Sequence, residues 1–115
     1  MPFSIISVDP REPVIGQIVK VKVSVRSDYA LPHPFFIKVV SKDGRELGYK
    51  DLGVLQPNEI KDDIIEFKAE LLEGHQIIEV DLWVQVEAIN LLDDFKEIGL
   101  NVRKRRGLVE WLLRR

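Results

Sequence analysis

Between Gln17 and Ser27 the chain alternates, with Val19, Val21, Val23 and Val25 at every second position and Lys20, Lys22, Ser24 and Arg26 between them. Successive side chains of an extended strand point to opposite faces, so this run predicts a β-strand with one aliphatic face on a core and one charged face in water. The period recurs across Asp62–Leu71, where Ile65, Phe67, Ala69 and Leu71 alternate with Glu66, Lys68 and Glu70. It is longest in Gln76–Ala88, where Ile78, Val80, Leu82, Val84, Val86 and Ala88 form one face and Glu79, Asp81, Trp83, Gln85 and Glu87 the other. Several of these residues are good helix formers, but a 3.6-residue period would scatter six strictly alternating apolar positions around the cylinder.

Phe3–Asp9, Phe35–Lys42, a short edge strand at Arg45–Leu52 and Phe95–Val102 complete the predicted strands, the last with Ile98, Leu100 and Val102 inward. Turn chemistry separates them. Asp9-Pro10 closes the first strand, Pro32 and Pro34 flank His33 in a predicted loop over Asp28–Pro34, and Asp43-Gly44 is a hairpin signal. Gly53–Asn58, Glu73-Gly74 and the segment Asn90–Asp94 are read as further connections. About seven strands with turns every ~8–12 residues predict an all-β fold, an immunoglobulin-like antiparallel β-sandwich.

The length of 115 residues suits one domain, and a hydrophobic content of 45% suffices for one core. With no cysteine the chain has neither a disulfide framework nor a thiolate metal site. The first ten residues lack a basic region followed by an apolar run, and no stretch approaches ~18 consecutive apolar residues, so a soluble chain is expected without any compartment being named. Charge changes the picture more. Arg103 to Arg115 holds six basic residues and one acidic one, whereas the preceding 102 residues hold 11 basic and 18 acidic. The net charge of −2 therefore conceals an acidic body, 1–102, and a basic tail, 103–115.

Several motifs carry a resemblance. Ile5-Ile6-Ser7-Val8, then Glu12-Pro13-Val14-Ile15-Gly16-Gln17, then the alternating valines, together with Asp43-Gly44, Leu55-Gln56-Pro57-Asn58-Glu59 and Glu73-Gly74-His75, follow one after another along the chain. Over about residues 5–102 this order resembles the CARDB-type domains, immunoglobulin-like modules named for cell adhesion in bacteria and common in archaeal surface proteins. Asn58 stands where that family's turn has glycine, and Glu87 to Asp94 is more apolar than its acidic, asparagine-rich closing hairpin, which weakens any carry-over of calcium or adhesion chemistry. The extension after Val102 lies outside the resemblance.

Catalytic chemistry finds little support. His33 sits between prolines and His75 follows a turn glycine, and neither has convergent partners in the sequence. No Gly-x-Ser-x-Gly elbow, P-loop or dinucleotide fingerprint occurs. Asp62-Asp63 and Asp93-Asp94 offer hard oxygens for calcium, but the spaced D-x-D-x-D-G loop is missing, and solvated turn residues explain them. No enzyme, cofactor or metal site is expected.

Parity gives the candidate surface. If the even-numbered residues of Gln76–Ala88 face the core, Trp83 points outward among carboxylates, and Phe36, Phe95, Glu79, Asp81 and Glu97 share its face when neighbouring strands flank this one. In the tail, Leu108, Trp111 and Leu112 fall at i, i+3 and i+4, predicting a short amphipathic helix preceded by Arg103, Lys104, Arg105 and Arg106. The expected role is protein–protein association or self-association, through Phe36, Trp83, Phe95, Leu108, Trp111 and Leu112. Alternatives are a tail folded back on its own sandwich, an anion binder meeting nucleic acid or a membrane through Arg103–Arg106, and a carbohydrate-binding sandwich with Trp83 as stacking platform.

Overall fold

The structure is a computed structural model and describes residues 3–104. Seven strands appear: β1 (Phe3–Asp9), β2 (Ile18–Arg26), β3 (His33–Ser41), β4 (Glu46–Leu55), β5 (Ile60–Lys68), β6 (Gly74–Val86) and β7 (Ile89–Val102). They form a three-stranded sheet ordered β1-β2-β5 and a four-stranded sheet ordered β4-β3-β6-β7. Every strand pairing is antiparallel.

The predicted alternation is what closes the two sheets. Val19, Val21, Val23 and Val25 are fully buried, as are Phe35, Ile37 and Val39 on β3 and Ile78, Val80, Leu82 and Val84 on β6. Each such side chain gains about 1.5–3 kcal/mol by leaving water, so a one-residue slip of any central strand would invert its whole set at prohibitive cost. The charged positions between them stay outside; Lys20 and Lys22 of β2 lie opposite Glu66 and Ile64 of β5.

The expected architecture needs correction. Among the described residues there is no helix, so a sandwich with a C-terminal helix is not the fold supported. Arg103, expected to open the basic tail, is still engaged in sheet bonding. It forms a parallel bridge with Val14, donating its N–H to Pro13 O at 2.8 Å and accepting from Ile15 N–H at 3.0 Å. The segment predicted to be helical, with Leu108, Trp111 and Leu112, lies outside the described residues.

Three connections also differ from expectation, the first being Gly53–Asn58, where β4 runs on to Leu55 before the chain turns. Asn90–Asp94 is strand, because the chain reverses earlier, at Glu87 and Ala88, whose φ angles are 50° and 66°. A two-residue hairpin of this kind, type I′, needs left-handed backbone at both central positions, a demand that this sequence meets without glycine or asparagine. Ala88 is therefore an exposed turn residue and not a core position. His33 and Pro34, assigned to a loop, begin β3 instead, with Pro34 opposite Val54 of β4.

Candidate binding face

The outer surface of the four-stranded sheet collects the aromatic and acidic residues. On β3, burial of Phe35, Ile37 and Val39 sends Phe36, Lys38 and Val40 outward. On β6, burial of Ile78, Val80, Leu82 and Val84 sends Glu79, Asp81 and Trp83 the same way. The register places Phe36 opposite Trp83, Lys38 opposite Asp81, and Val40 opposite Glu79. On β7, Phe95 lies opposite Asp81 and Glu97 opposite Glu79.

The rings of Phe36 and Trp83 are parallel within 4°, with centroids 6.1 Å apart. Tyr49 extends the row from β4, 5.6 Å from Phe36. Lys38 leans over it, its Nζ 5.8 Å from the Phe36 ring and 5.9 Å from the Trp83 ring, while pairing with Glu46 at 3.5 Å. A cation over two ring faces is attracted by both quadrupoles, so Lys38 covers the platform and is oriented by it.

Beside the rings the chemistry turns acidic. Asp81 points away from the core yet is only 7% exposed, because it is packed between its cross-strand neighbours Lys38 and Phe95. Its Oδ1 and the indole Nε1 of Trp83 are both shielded from solvent without a hydrogen-bond partner. Burial, followed by the hydrogen bond and repulsion of Glu79, raises the Asp81 carboxyl to about 7, against a smaller opposing pull from Lys38. Among the described residues no grouping of carboxylates and histidines is arranged to hold a metal ion.

The structure thus gathers Phe36, Trp83 and Phe95 on one face, with Phe95 47% exposed. Arg103 lies elsewhere, its Nε donating to Glu12 O at 3.0 Å, and Lys104 is exposed just beyond it. Arg105, Arg106, Leu108, Trp111 and Leu112 fall outside the described residues. Sequence reasoning gave Lys38 no role and missed Tyr49 and Leu92. A bulge in β4 between the pairs Val39–Gly48 and Val40–Glu46 leaves Leu47 unmatched and turns Tyr49 to the outer face. A second bulge, in β7 at Asp93, brings Leu92 opposite Trp83. Bulges break parity, and nothing in the local sequence marked either one.

No family model matches the chain, and no curated protein matches it in sequence. Solved structures do match in shape. The chain is an immunoglobulin-like β-sandwich. The C-terminal domain of wzt aligns at a TM-score of 0.58 and 15% identity, over 91% of this chain and 75% of that one. A β-glucuronidase from glycoside hydrolase family 2 aligns at 0.55 and 9% identity, over 87% of this chain but 11% of that enzyme. A β-glucosidase from Listeria innocua in complex with isofagomine aligns at 0.55 and 15%, over 88% of this chain and 16% of that enzyme. The sandwich therefore corresponds to a small part of those hydrolases, and at such identities the likeness is one of fold. The narrower CARDB resemblance has no family match behind it.

Proposed function

We propose that this chain is a non-catalytic carbohydrate-binding module whose sugar lies on the outer face of the β4-β3-β6-β7 sheet. The carrying observation is the pair of parallel rings, Phe36 and Trp83, set 6.1 Å apart on two neighbouring strands. Flat apolar faces of pyranose rings pack on such surfaces, while hydroxyls on their rims require acceptors close by. Glu79, Asp81 and Glu97 supply carboxylate oxygens on the same face. The glycoside hydrolases that share the fold act on sugars by name, which agrees with this reading.

Affinity electrophoresis against a panel of soluble polysaccharides tests it. The wild-type chain should be retarded by at least one of them, and Trp83→Ala should migrate freely. Equal mobility of the two proteins in every gel sinks the reading.

A second reading, protein association through the same face, is favoured by one specific observation. Tyr49, Leu92 and Phe95, at 53%, 46% and 47% exposure, rim the platform with apolar surface that a sugar would not fully cover. Light-scattering mass in solution decides it: a dimer that Phe95→Glu converts to monomer favours association over sugar binding.

A further inference from the structure

The acidic end of the face constrains the ligand further than the rings do. Outward residues along a strand advance about 7 Å per step, so Asp81 stands one step from Trp83 and Glu79 two. Glu97 faces Glu79 across β6 and β7. The three carboxylates line an open cleft of about 380 Å³, bordered on the β3 side by Val40 and Ser41.

Within this cleft carboxylates outnumber cations, with Lys42 the one cationic side chain among the lining residues. No ion pair among the described residues reaches Glu79, Asp81 or Glu97. Lys38 lies opposite Asp81 in register but pairs with Glu46 and the two rings. Lys42 stands at the rim on the β3 side and is exposed. Asp81 is more than nine-tenths buried, and its Oδ1 meets no donor. A buried acceptor left unpaired costs about 1–3 kcal/mol, which a ligand donor would recover.

The donor chemistry can be narrowed. A hard divalent cation needs six to eight oxygens, or an octahedral set, and these side chains are not so arranged. A primary ammonium is compact, carries three N–H donors, and gains most from two or three carboxylates on one side. An anionic sugar would be repelled.

We propose that the cleft lined by Glu79, Asp81 and Glu97 is an ammonium subsite, and that the saccharide held on Phe36 and Trp83 is an amino sugar with its amine free. This rests on the carbohydrate reading and assigns that site's ligand class. The charged groups facing the subsite are Lys38 and Lys42 on the β3 side, Glu79 on β6, Glu97 on β7, and Glu46 on β4 through its pair with Lys38. An ammonium beside Asp81 favours the ionised carboxylate, so amine binding releases a proton near neutral pH and weakens as the solution is acidified.

Isothermal titration of the full chain with a fully deacetylated glucosamine oligomer and its N-acetylated counterpart of equal length tests this. The free amine should bind about tenfold more tightly, with a heat that varies with buffer ionisation enthalpy. Asp81→Asn, near isosteric, and Glu79→Gln should each bring the two oligomers to similar affinity. Equal binding of both oligomers by the wild type overturns the subsite and leaves the sugar platform standing. A lysine-rich peptide that binds while both oligomers fail overturns it in favour of a protein partner. Failure with every saccharide, the polysaccharide panel included, removes the carbohydrate reading and the subsite with it.

Discussion

Asp81 and Trp83, two residues apart on the outer face of β6, each hold one polar atom shielded from water and unpaired, an acceptor on the first and a donor on the second. A stable sandwich has no use for either group there. Apolar residues at both positions would remove two unmet hydrogen bonds, each worth about 1–3 kcal/mol, from a domain whose total stability is about 5–15 kcal/mol. The proposed binding role would account for their presence on the aromatic face.

The Asp81 carboxyl makes a pH prediction. Between its ordinary value of 3.8 and the raised value of about 7, the folded chain keeps a proton that the unfolded chain has lost. Unfolding then releases a proton, so stability falls as pH rises through this window and is lowest above about 7. Thermal melts across the window should show that decline, and Asp81→Asn should flatten it. An unchanged slope in the variant would place the titration elsewhere.

Adjacent phenylalanines should respond in opposite ways. Phe35 is fully buried, and Phe35→Ala should cost about 3–5 kcal/mol in urea unfolding. Phe36→Ala removes a half-buried ring from the outer face, so it should cost clearly less than Phe35→Ala while lowering saccharide affinity about tenfold. Similar losses of stability would mean that β3 does not present the faces described.

The β6–β7 turn should be improvable. Glu87 and Ala88 hold φ angles of 50° and 66°, a backbone that costs an L-residue about 1–2 kcal/mol and glycine little. Asparagine followed by glycine suits both positions, so the double substitution Glu87→Asn with Ala88→Gly should raise the unfolding midpoint by an amount corresponding to about 1–2 kcal/mol. A lower midpoint would show that the present side chains make contacts worth more than the strain.

Two glycines without positive φ test local packing. A Cβ at Gly48 would come within 3.0 Å of Glu66 O and 3.1 Å of Phe67 Cβ on the facing sheet, so Gly48→Ala should cost about 1–3 kcal/mol. At Gly99 the contact is the His75 ring, 3.0 Å away, which can rotate aside. Gly99→Ala should therefore be nearly neutral by chemical denaturation, with a shifted His75 resonance.

Strand content and facing were legible because period-two alternation is a direct image of the pleat. The valines of β2 and the odd-numbered aromatic of β6 needed no tertiary information. Phe36 and Phe95 followed from parity on strands correctly placed beside β6. Tyr49, Leu92 and the burial of Asp81 were not legible. The first two depend on bulges that shift parity by one residue, and the third depends on what neighbouring strands pack above a nominally outward position. The early reversal at Glu87 and Ala88 escaped notice because its residues are poor matches to the backbone they adopt.

The bonding around Arg103 has a mechanical consequence. Arg11 O accepts from Asn101 N–H, Pro13 O from Arg103 N–H, and Arg103 O from Ile15 N–H, so an early and a late stretch of the chain run alongside each other in the same direction. Tension drawn between residues 10 and 104 would slide these stretches lengthwise and strain all three links at once, where an antiparallel zipper would open them singly. The sandwich is thereby fastened where β7 ends, by a seam that resists shear between its two sheets.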